Sequence, residues 1–284
     1  MISPTRPIVN ALTVDVEEYY HAIIFQEETR RIPRASFESR VERSVDRILL
    51  LLDERGILGT FFVLGEVAAA HPAMVRRIAE KGHEVACHGY YHKLVSQQTP
   101  PEFRGDVRRA KLLLEDLTRK SVIGYRAPSF SISRIDTWVY DILLEEGFRY
   151  DSSIYPIIHD RYGHPGAPRF AYEIQRNGKG RLIELPIGTL RLLGVNIPIG
   201  GGGFFRLFPL ALIQWGIQYV NAREGHPIIF YFHPWELDPN QPRPPMRWHH
   251  RFRHYVGLES EEHKLISLFR DFHFSTVRDV LGII

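Results

Sequence analysis

The sequence has one cysteine, no long apolar run and little net charge among its 284 residues. The single cysteine, Cys87, excludes an internal disulfide framework and fits a reducing compartment. No stretch reaches the roughly 18 uninterrupted apolar residues of a membrane-spanning helix, and residues 1–20 lack the apolar run of a signal peptide. The net charge of +3 is too small to indicate nucleic-acid binding. We therefore expect a cytoplasmic chain with no transmembrane segment and no nucleic-acid partner.

A phosphate-binding loop and an internal repeat are also missing. The glycine run Gly200–Gly203 is followed by Phe204 and Phe205 rather than by a lysine and a hydroxyl residue. A nucleotide-binding loop needs that lysine to reach the phosphates. We therefore interpret the run as a flexible loop near the mouth of a site.

Short apolar segments alternate with helical patterns along the first half of the chain. The apolar segments lie at residues 8–16, 59–64, 85–87, 122–125 and 148–153, and the amphipathic patterns at residues 36–55, 66–81, 101–118 and 135–146. Such alternation is typical of a parallel sheet covered by helices, and a chain of this length fits one barrel. The sequence therefore predicts an α/β fold.

The second half is less regular. We expect a loop-rich insertion at about residues 155–205, a strand at 227–232 and a C-terminal extension at 236–284, all in one domain spanning 1–284 with its core at about 8–235. The Pro- and Arg-rich segment 238–254 is interpreted as a solvated loop, with contact to an anionic ligand as the alternative.

Two histidines follow the apolar run Val85–Cys87. His88 and His92 are four residues apart, so both imidazoles can reach one metal ion, and they stand at the carboxyl end of a predicted strand. The alternative is a histidine pair satisfied by backbone groups. His250 and His254 have the same spacing but lie in polar sequence, so we expect them on the solvated surface.

Acidic residues end the first predicted strand. Because side chains alternate across a strand, Asp15 and Glu17 share one face and Glu18 points to the other. Asp15 is still inside the apolar run, where an unpaired carboxylate is costly. This alternation selects Asp15 and Glu17 as candidate functional residues.

Polar residues at the strand ends form one predicted constellation: Asp15, Glu17, His88, His92, Arg126, Asp151 and His233. In a barrel these ends meet at one rim. Two histidines and a carboxylate form either an open hydrolytic zinc site or the facial triad of an iron oxygenase.

In amide hydrolysis, every remaining member of the constellation would have a chemical role. Asp15 suits the general base, and Arg126 can keep it ionised. His233 suits the general acid, and Asp151 is the candidate that orients its imidazole. An oxygenase has no evident need for the second histidine and aspartate.

Five segments together resemble the polysaccharide deacetylases, the NodB-homology group of carbohydrate esterases. They are Thr13-Val-Asp15-Val-Glu17, His88-Gly-Tyr-Tyr-His92, Arg126-Ala-Pro-Ser-Phe130, Tyr150-Asp151-Ser-Ser153 and Phe232-His233-Pro234. The resemblance covers about residues 8–235. It implies a distorted (β/α) barrel with seven or eight strands, a divalent metal with zinc as the first candidate, and removal of N-acetyl groups from glycans. Glu17, His88 and His92 would be the metal ligands.

The sequence departs from the family pattern in its first motif. Val16 separates Asp15 from Glu17, whereas the family has two adjacent aspartates, so Glu17 is the least secure ligand. This variant resembles the branch of peptidoglycan deacetylases without signal peptides and allantoinase-like relatives. A small non-sugar amide is therefore an alternative substrate, and a glycan-binding protein that has lost catalysis is a third possibility.

The insertion and the tail are similar to those of deacetylases of exopolysaccharide biosynthesis. The resemblance implies a bacterial polysaccharide or glycan precursor as substrate and allows a transient association with a membrane surface. In an open groove, the aromatic residues Tyr90, Tyr91, Phe130 and Trp235 would stack on sugar rings. The sequence does not indicate an oligomeric state.

Overall fold

Strands and helices alternate along the chain in the computed structural model, which describes residues 7–133, 136–176 and 180–283. The strands are β1 (Val9–Val16), β2 (Thr60–Val63), β3 (Glu84–Cys87), β4 (Gly124–Tyr125), β5 (Tyr150–Asp151), β6 (Tyr172–Arg176), β7 (Gly180–Glu184), β8 (Thr189–Leu192), β9 (Val195–Pro198), β10 (Ile229–Phe232) and β11 (His273–Ser275). The helices are α1 (Ile23–Thr29), α2 (Val41–Asp53), α3 (Gly65–Ala70), α4 (Pro72–Glu80), α5 (Pro100–Thr118), α6 (Trp138–Glu145), α7 (Gly202–Leu207), α8 (Leu210–Tyr219), α9 (Trp248–Tyr255), α10 (Leu258–Asp271) and α11 (Val277–Leu281).

One mostly parallel sheet organises the molecule. Among the described residues its order is β10-β1-β2-β3-β4-β5-β7-β6, with β11 paired to the start of β1, and only β6 runs antiparallel to its neighbour. The predicted α/β class is confirmed, although the sheet has nine strands rather than seven or eight. Because neighbouring strands are parallel, their carboxyl ends lie along one edge of the sheet.

The central strand β1 shows why the chain folds this way. Leu12, Val14 and Val16 join the large apolar cluster that packs against α2. The intervening residues Thr13 and Asp15 are also buried, but they face the inside of the curved sheet, where Arg126 binds both. The period-two alternation of a strand therefore separates an apolar outer face from a polar inner face.

Within the described residues, irregular backbone after β7 and after β9, rather than a further strand ladder, contacts β10. The Gly188 N–H donates to the Ile229 carbonyl (3.0 Å), and the Tyr231 N–H donates to the Gly200 carbonyl (2.8 Å). A Cβ at Gly201 would lie 1.9 Å from the Tyr231 carbonyl oxygen, so glycine is required there. The interpretation of the glycine run as a flexible loop was wrong, because the run packs against β10 and leads into α7.

Several predicted elements are shorter or divided. The helix predicted at 66–81 is two helices, because His71 and Pro72 interrupt it and proline begins α4. The helix predicted at 135–146 begins at Trp138, and the start predicted at residue 135 lies outside the described residues. In the described parts of the chain, no helix combines the length and apolar character needed to cross a bilayer.

Candidate active site

A buried ion pair lies at the centre of the inner face. Asp15 Oδ1 accepts a hydrogen bond from Arg126 Nη1 at 2.6 Å, and both side chains are almost completely buried. Arg126 also donates to Thr13 Oγ1, to the Ser152 carbonyl and to Ser152 Oγ. The guanidinium lies 4.2 Å above the Phe62 ring. These contacts fix Arg126 and therefore fix the direction of the Asp15 carboxylate.

Glu17, His88 and His92 converge beside this pair. Each offers one potential ligand atom, and the three atoms lie within 4.8 Å of one another. The His92 Nε2 is 2.7 Å from Glu17 Oε2. The His88 Nδ1 lies 2.8 Å from the Arg126 carbonyl, to which it can donate, and this leaves Nε2 directed at the cluster.

The protonation states of these groups suit a cation. Burial lowers the pKa of His88 to about 4, so its imidazole is neutral near pH 7. Burial alone would raise the pKa of Glu17, but the His92, His233 and His21 imidazoles hold it well below its usual range.

The donor set also fits a divalent metal geometrically. The Glu17 Oε2 is buried, and its contact with His92 is not aligned as a hydrogen bond. A cation that accepted electron pairs from both atoms would satisfy them. Two imidazoles and one carboxylate form the three-ligand set of hydrolytic zinc sites.

His233 approaches Glu17 from the carboxyl end of β10. Its Nε2 lies 3.7 Å from Glu17 Oε1, and its Nδ1 lies 3.3 Å from Glu236 Oε2, an ion-pair contact rather than an aligned hydrogen bond. Burial alone would lower the pKa of His233, but the Glu236, Glu17 and Asp15 carboxylates outweigh it and raise the pKa to about 9. The raised pKa favours the protonated form of His233 near neutral pH.

Glu236 is held by contacts on both sides. Its Oε1 accepts a hydrogen bond from Arg206 Nε at 2.8 Å, and its Oε2 accepts one from the backbone N–H of His233 at 2.9 Å. Arg206 in turn donates to the carbonyls of His254 and Val256 at the end of α9. The orientation of His233 therefore depends on α7 and on the C-terminal part of the chain.

A cavity of about 360 Å³ opens next to these groups. Glu17, His233 and Glu236 line its inner end. Its outer part is largely apolar and is formed by α1, α7 and α9, with Ile23, Phe204, Leu207, Phe252 and Val256 among the lining residues. A ligand in this cavity would bring a polar group to His233 while the rest of it contacts apolar side chains.

Comparison with known proteins identifies two matched regions. Residues 29–143 match the family model described as polysaccharide deacetylase. This part of the chain is similar to the polysaccharide deacetylase family. Residues 152–282 match a second model, described as a domain of unknown function (DUF3473). This matched region includes His233, Glu236 and Arg206. The resemblance predicted from the sequence motifs is thereby confirmed.

The curated relatives are longer proteins that match this chain over part of their length. A peptidoglycan deacetylase-like protein of Gibberella zeae is 35% identical over 120 residues, which are 42% of this chain and 34% of that protein. A peptidoglycan deacetylase of Helicobacter pylori is 31% identical over 123 residues, or 43% of this chain and 40% of that protein. The chain thus spans well under half the length of these two relatives.

Solved structures share the fold over almost the whole chain. A Mycobacterium smegmatis structure assigned to the polysaccharide deacetylases has a TM-score of 0.61 at 21% identity and covers 99% of this chain and 94% of its own. Puue allantoinase has a TM-score of 0.62 at 16% identity, covering 99% and 91%. At these identities the likeness shows the fold alone.

The structure brings six residues of the predicted constellation together, but not Asp151. Asp151 is buried opposite Glu184 on the neighbouring strand, and Ser153 Oγ donates to it. The predicted pairing of Asp151 with His233 was wrong, since Glu236 occupies that place. The physical reason is the strand order, which puts β5 four strands from β1 while β10 is adjacent to it.

The predicted sugar-stacking residues divide into two pairs. Phe130 and Trp235 line the cavity, and Trp235 also donates to Glu17 Oε1 at 3.3 Å. Tyr90 and Tyr91 do not line it. Tyr90 is buried against Gly65 with Arg109 over its ring, and Tyr91 is half exposed beside the same arginine. Stacking of a ligand in this cavity therefore involves only the first pair.

The interpretation of residues 238–254 as a solvated loop was wrong in its second half. Residues 248–255 form α9, and His250 and His254 are 6% and 2% exposed. His250 contacts Glu28 at 2.6 Å, and the His254 ring stacks on Trp235. The two rings lie on the inner face of α9 while Trp248 and Phe252 are exposed, an amphipathic pattern that the dense arginines obscure in the sequence.

Sequence reasoning missed Glu236, Arg206 and Tyr231. Glu236 had a local signal, because a carboxylate three residues after a strand end is the pattern of a capping box, which it forms here with His233. Tyr231 precedes His233 by two residues and therefore faces the same side of β10, where it lines the cavity. Arg206 had no such signal, since its partners are 30 to 50 residues away.

Proposed function

We propose that the protein is a metal-dependent hydrolase that removes N-acetyl groups from a bacterial polysaccharide or glycan precursor. The observation that carries the proposal is the arrangement of the Asp15–Arg126 pair beside the Glu17, His88 and His92 donors, with Glu17 and His233 lining one cavity. The similarity to a peptidoglycan deacetylase-like protein of Gibberella zeae and to a peptidoglycan deacetylase of Helicobacter pylori supports the same reaction class.

Glu17, His88 and His92 would hold the cation, with zinc as the first candidate. When bound, the cation would polarise the acetamide carbonyl and lower the pKa of a water molecule. Asp15 would take a proton from the attacking water, because its carboxylate is kept ionised and directed by Arg126 at 2.6 Å. Arg126 acts through Asp15 and would be a positioning residue.

His233 would supply the second proton transfer. An amide nitrogen is a poor leaving group until it is protonated, so hydrolysis needs an acid on the side opposite the base. His233 is directed into the cavity and is backed by Glu236, which keeps the imidazole oriented. After the carbon–nitrogen bond breaks, the products would be acetate and a free amino sugar.

The substrate would be an N-acetylated sugar in a glycan. Phe130 and Trp235 supply aromatic surface at the inner part of the cavity, where a sugar ring could pack. The exopolysaccharide origin of that glycan remains a prediction from the sequence resemblance. A cytoplasmic location remains a prediction from the single cysteine and from the lack of a signal-peptide run in residues 1–20.

A substrate panel tests the proposal. Purified protein loaded with zinc is incubated with N-acetylated chitooligosaccharides, with peptidoglycan fragments and with allantoin, and acetate and ureide products are measured. We expect acetate from at least one glycan and no conversion of allantoin. Turnover of allantoin alone would indicate a small-amide hydrolase, and saturable glycan binding without acetate release would indicate a binding protein.

A further inference from the structure

Residues 185–223 contain no aspartate or glutamate, although the whole chain has 33 in 284 residues. An even distribution would place about four or five acidic residues in a segment of this length. The charged residues present are Arg191, Arg206 and Arg223. The segment is therefore purely basic in a chain whose total charges nearly balance.

The same segment exposes large apolar side chains at the tip of the β8–β9 hairpin. Leu193 is 97% exposed, and its neighbours Leu192 and Val195 are 45% and 52% exposed. Scattered exposed apolar residues are ordinary, but three at one hairpin tip form a contiguous patch.

The hairpin turn is built from a residue that the turn geometry disfavours. Leu193 and Gly194 have φ values of +49° and +82°, the pattern of a two-residue turn that usually contains Asn-Gly. Leucine is strained in the left-handed region and its side chain makes no buried contact here. Neither turn geometry nor packing explains leucine at this position, so an external contact is the remaining physical reason.

Contacts connect the hairpin tip to the mouth of the cavity. Asn196 Nδ2 donates to the Pro156 carbonyl at 2.6 Å, and Ile158, two residues later, is 81% exposed. The next residue, His159, lines the cavity together with Leu207, which is 49% exposed. We call the exposed residues Leu192, Leu193, Val195, Ile158 and Leu207 the apolar rim.

The charges around the apolar rim favour an anionic surface. Arg191 precedes the hairpin tip and is exposed. Two acidic residues are neutralised by arginines that line the cavity. Asp160 pairs with Arg253 (2.8 Å), and Glu27 pairs with Arg161 (3.0 Å). Basic residues next to inserted apolar side chains are the pattern by which peripheral proteins bind anionic bilayers.

Two aromatic residues of the acid-free segment extend this pattern. Helix α8 packs against β8 and exposes Trp215 and Tyr219, whose rings are 5.9 Å apart. Tryptophan and tyrosine are enriched where proteins meet the interface between lipid and water.

We propose that the apolar rim docks on the surface of a bilayer containing anionic phospholipid, with Leu193 inserted among the acyl chains. Docking would hold the cavity mouth next to the membrane, where a membrane-borne substrate could enter without leaving the surface. The proposal goes beyond the deacetylase reaction, because it concerns a surface outside the catalytic groups and holds for any substrate presented there.

Vesicle sedimentation tests the proposal with a variant that suits the turn. Leu193→Asn places the residue that this turn prefers, so the fold should be kept, while it removes the apolar group. We expect wild type to bind phosphatidylglycerol vesicles better than phosphatidylcholine vesicles and to dissociate at high salt. Leu193→Asn should lower the partition coefficient about tenfold, because one leucine side chain no longer leaves water.

Leu112→Asn is the matched control, since Leu112 is 60% exposed on α5 and outside the apolar rim. It should bind vesicles as wild type does, and acetate release from a soluble oligosaccharide should be unchanged in both variants. Absence of vesicle binding by wild type, or equal binding by Leu193→Asn, would overturn the proposal. Self-association that Leu193→Asn abolishes, without vesicle binding, would overturn it in favour of a dimer interface.

Discussion

Asp15 and Glu18 are two buried carboxylates three residues apart, and their partners give them different tasks. Asp15 faces the inside of the sheet and binds Arg126. Glu18 faces outwards, where its carboxylate accepts from Ser39 and from the Arg40 N–H just before α2. The first pair lies beside the metal donors, whereas the second tethers the start of a helix. The alternation of side chains along a strand predicts that Asp15 and Glu18 point to opposite faces.

Asp15→Asn should therefore lower the rate of acetate release by about 10²–10⁴, the range expected when a general base is lost. The matched control is Glu18→Gln, which removes a carboxylate three residues away. It should change the rate by less than about threefold, because the partners of Glu18 lie outside the cavity. Rates and thermal unfolding are measured together. Equal rate losses in the two variants would contradict the assignment of Asp15.

Glu236, rather than Asp151, orients His233. Glu236→Gln should lower kcat by about 10–100-fold with little change in KM, since residues that support a catalytic imidazole act on this scale. Asp151→Asn keeps the hydrogen bond from Ser153 and should leave kcat within about threefold. Steady-state kinetics of both variants decide between the carboxylates. A larger loss in Asp151→Asn than in Glu236→Gln would reverse the assignment.

At the scale of single residues, the sequence predicted those members of the site that stand at strand ends. Asp15, His88, Arg126 and His233 converge because their strands are parallel, a relation that alternation and order along the chain reveal. Asp151 obeys the same rule, yet its distance from His233 depends on strand order, which no local pattern encodes. The contact partner of a residue is therefore harder to predict than its position at the carboxyl end of a strand.

The elements β5 and β7 bring two buried carboxyls together. Asp151 and Glu184 are register partners, both are fully buried, and one oxygen of each lacks a hydrogen-bond partner within the described residues. Burial raises the pKa of Asp151 to about 6, and burial together with Asp151 raises the pKa of Glu184 well above its usual range. The pair therefore holds a proton at a pH where free carboxyls have released it.

This pair makes stability depend on pH. The unfolded chain releases these protons near pH 4, whereas the folded chain retains them to about pH 6 or above, so the free energy of unfolding falls as the pH rises through that range. Glu184→Gln should raise the free energy of unfolding at pH 7 by about 1–3 kcal/mol and have little effect at pH 4. Denaturant titrations at both pH values measure this. Destabilisation at pH 7 would contradict the shared proton.

Most of the elements that were missed lie in the second half of the chain. The strand β6 and the hairpin partner β9 were missed because Tyr172–Arg176 is polar and Val195–Pro198 contains asparagine and proline. Helix α1 was also missed, as its seven residues carry too short a pattern for a 3.6-residue period. The early helices were predicted well because their apolar faces pack against the sheet and are long enough to show their period.

At the scale of the whole molecule, the candidate site draws on both matched regions and on Asp15 and Glu17, which precede them. The ligand histidines come from the region that matches the polysaccharide deacetylase model, and His233, Glu236 and Arg206 come from the second matched region. Arg206 joins Glu236 to the end of α9, so the C-terminal segment takes part in orienting the acid. The sequence suggested one domain of residues 1–284, and that extent stays a prediction.

The most direct test of the central claim is the metal content of the purified protein, measured with acetate release from an N-acetylated oligosaccharide before and after a chelator. Wild type should hold near-stoichiometric metal, and Glu17→Gln and His92→Gln should lose both metal and activity. His250→Gln, from the second histidine pair of the same spacing, is the control and should keep both.

Removal of the ion by the chelator should abolish acetate release, and added zinc should restore it. Wild type that binds no divalent ion, or acetate release that persists after the ion is removed, would contradict the metal-dependent mechanism.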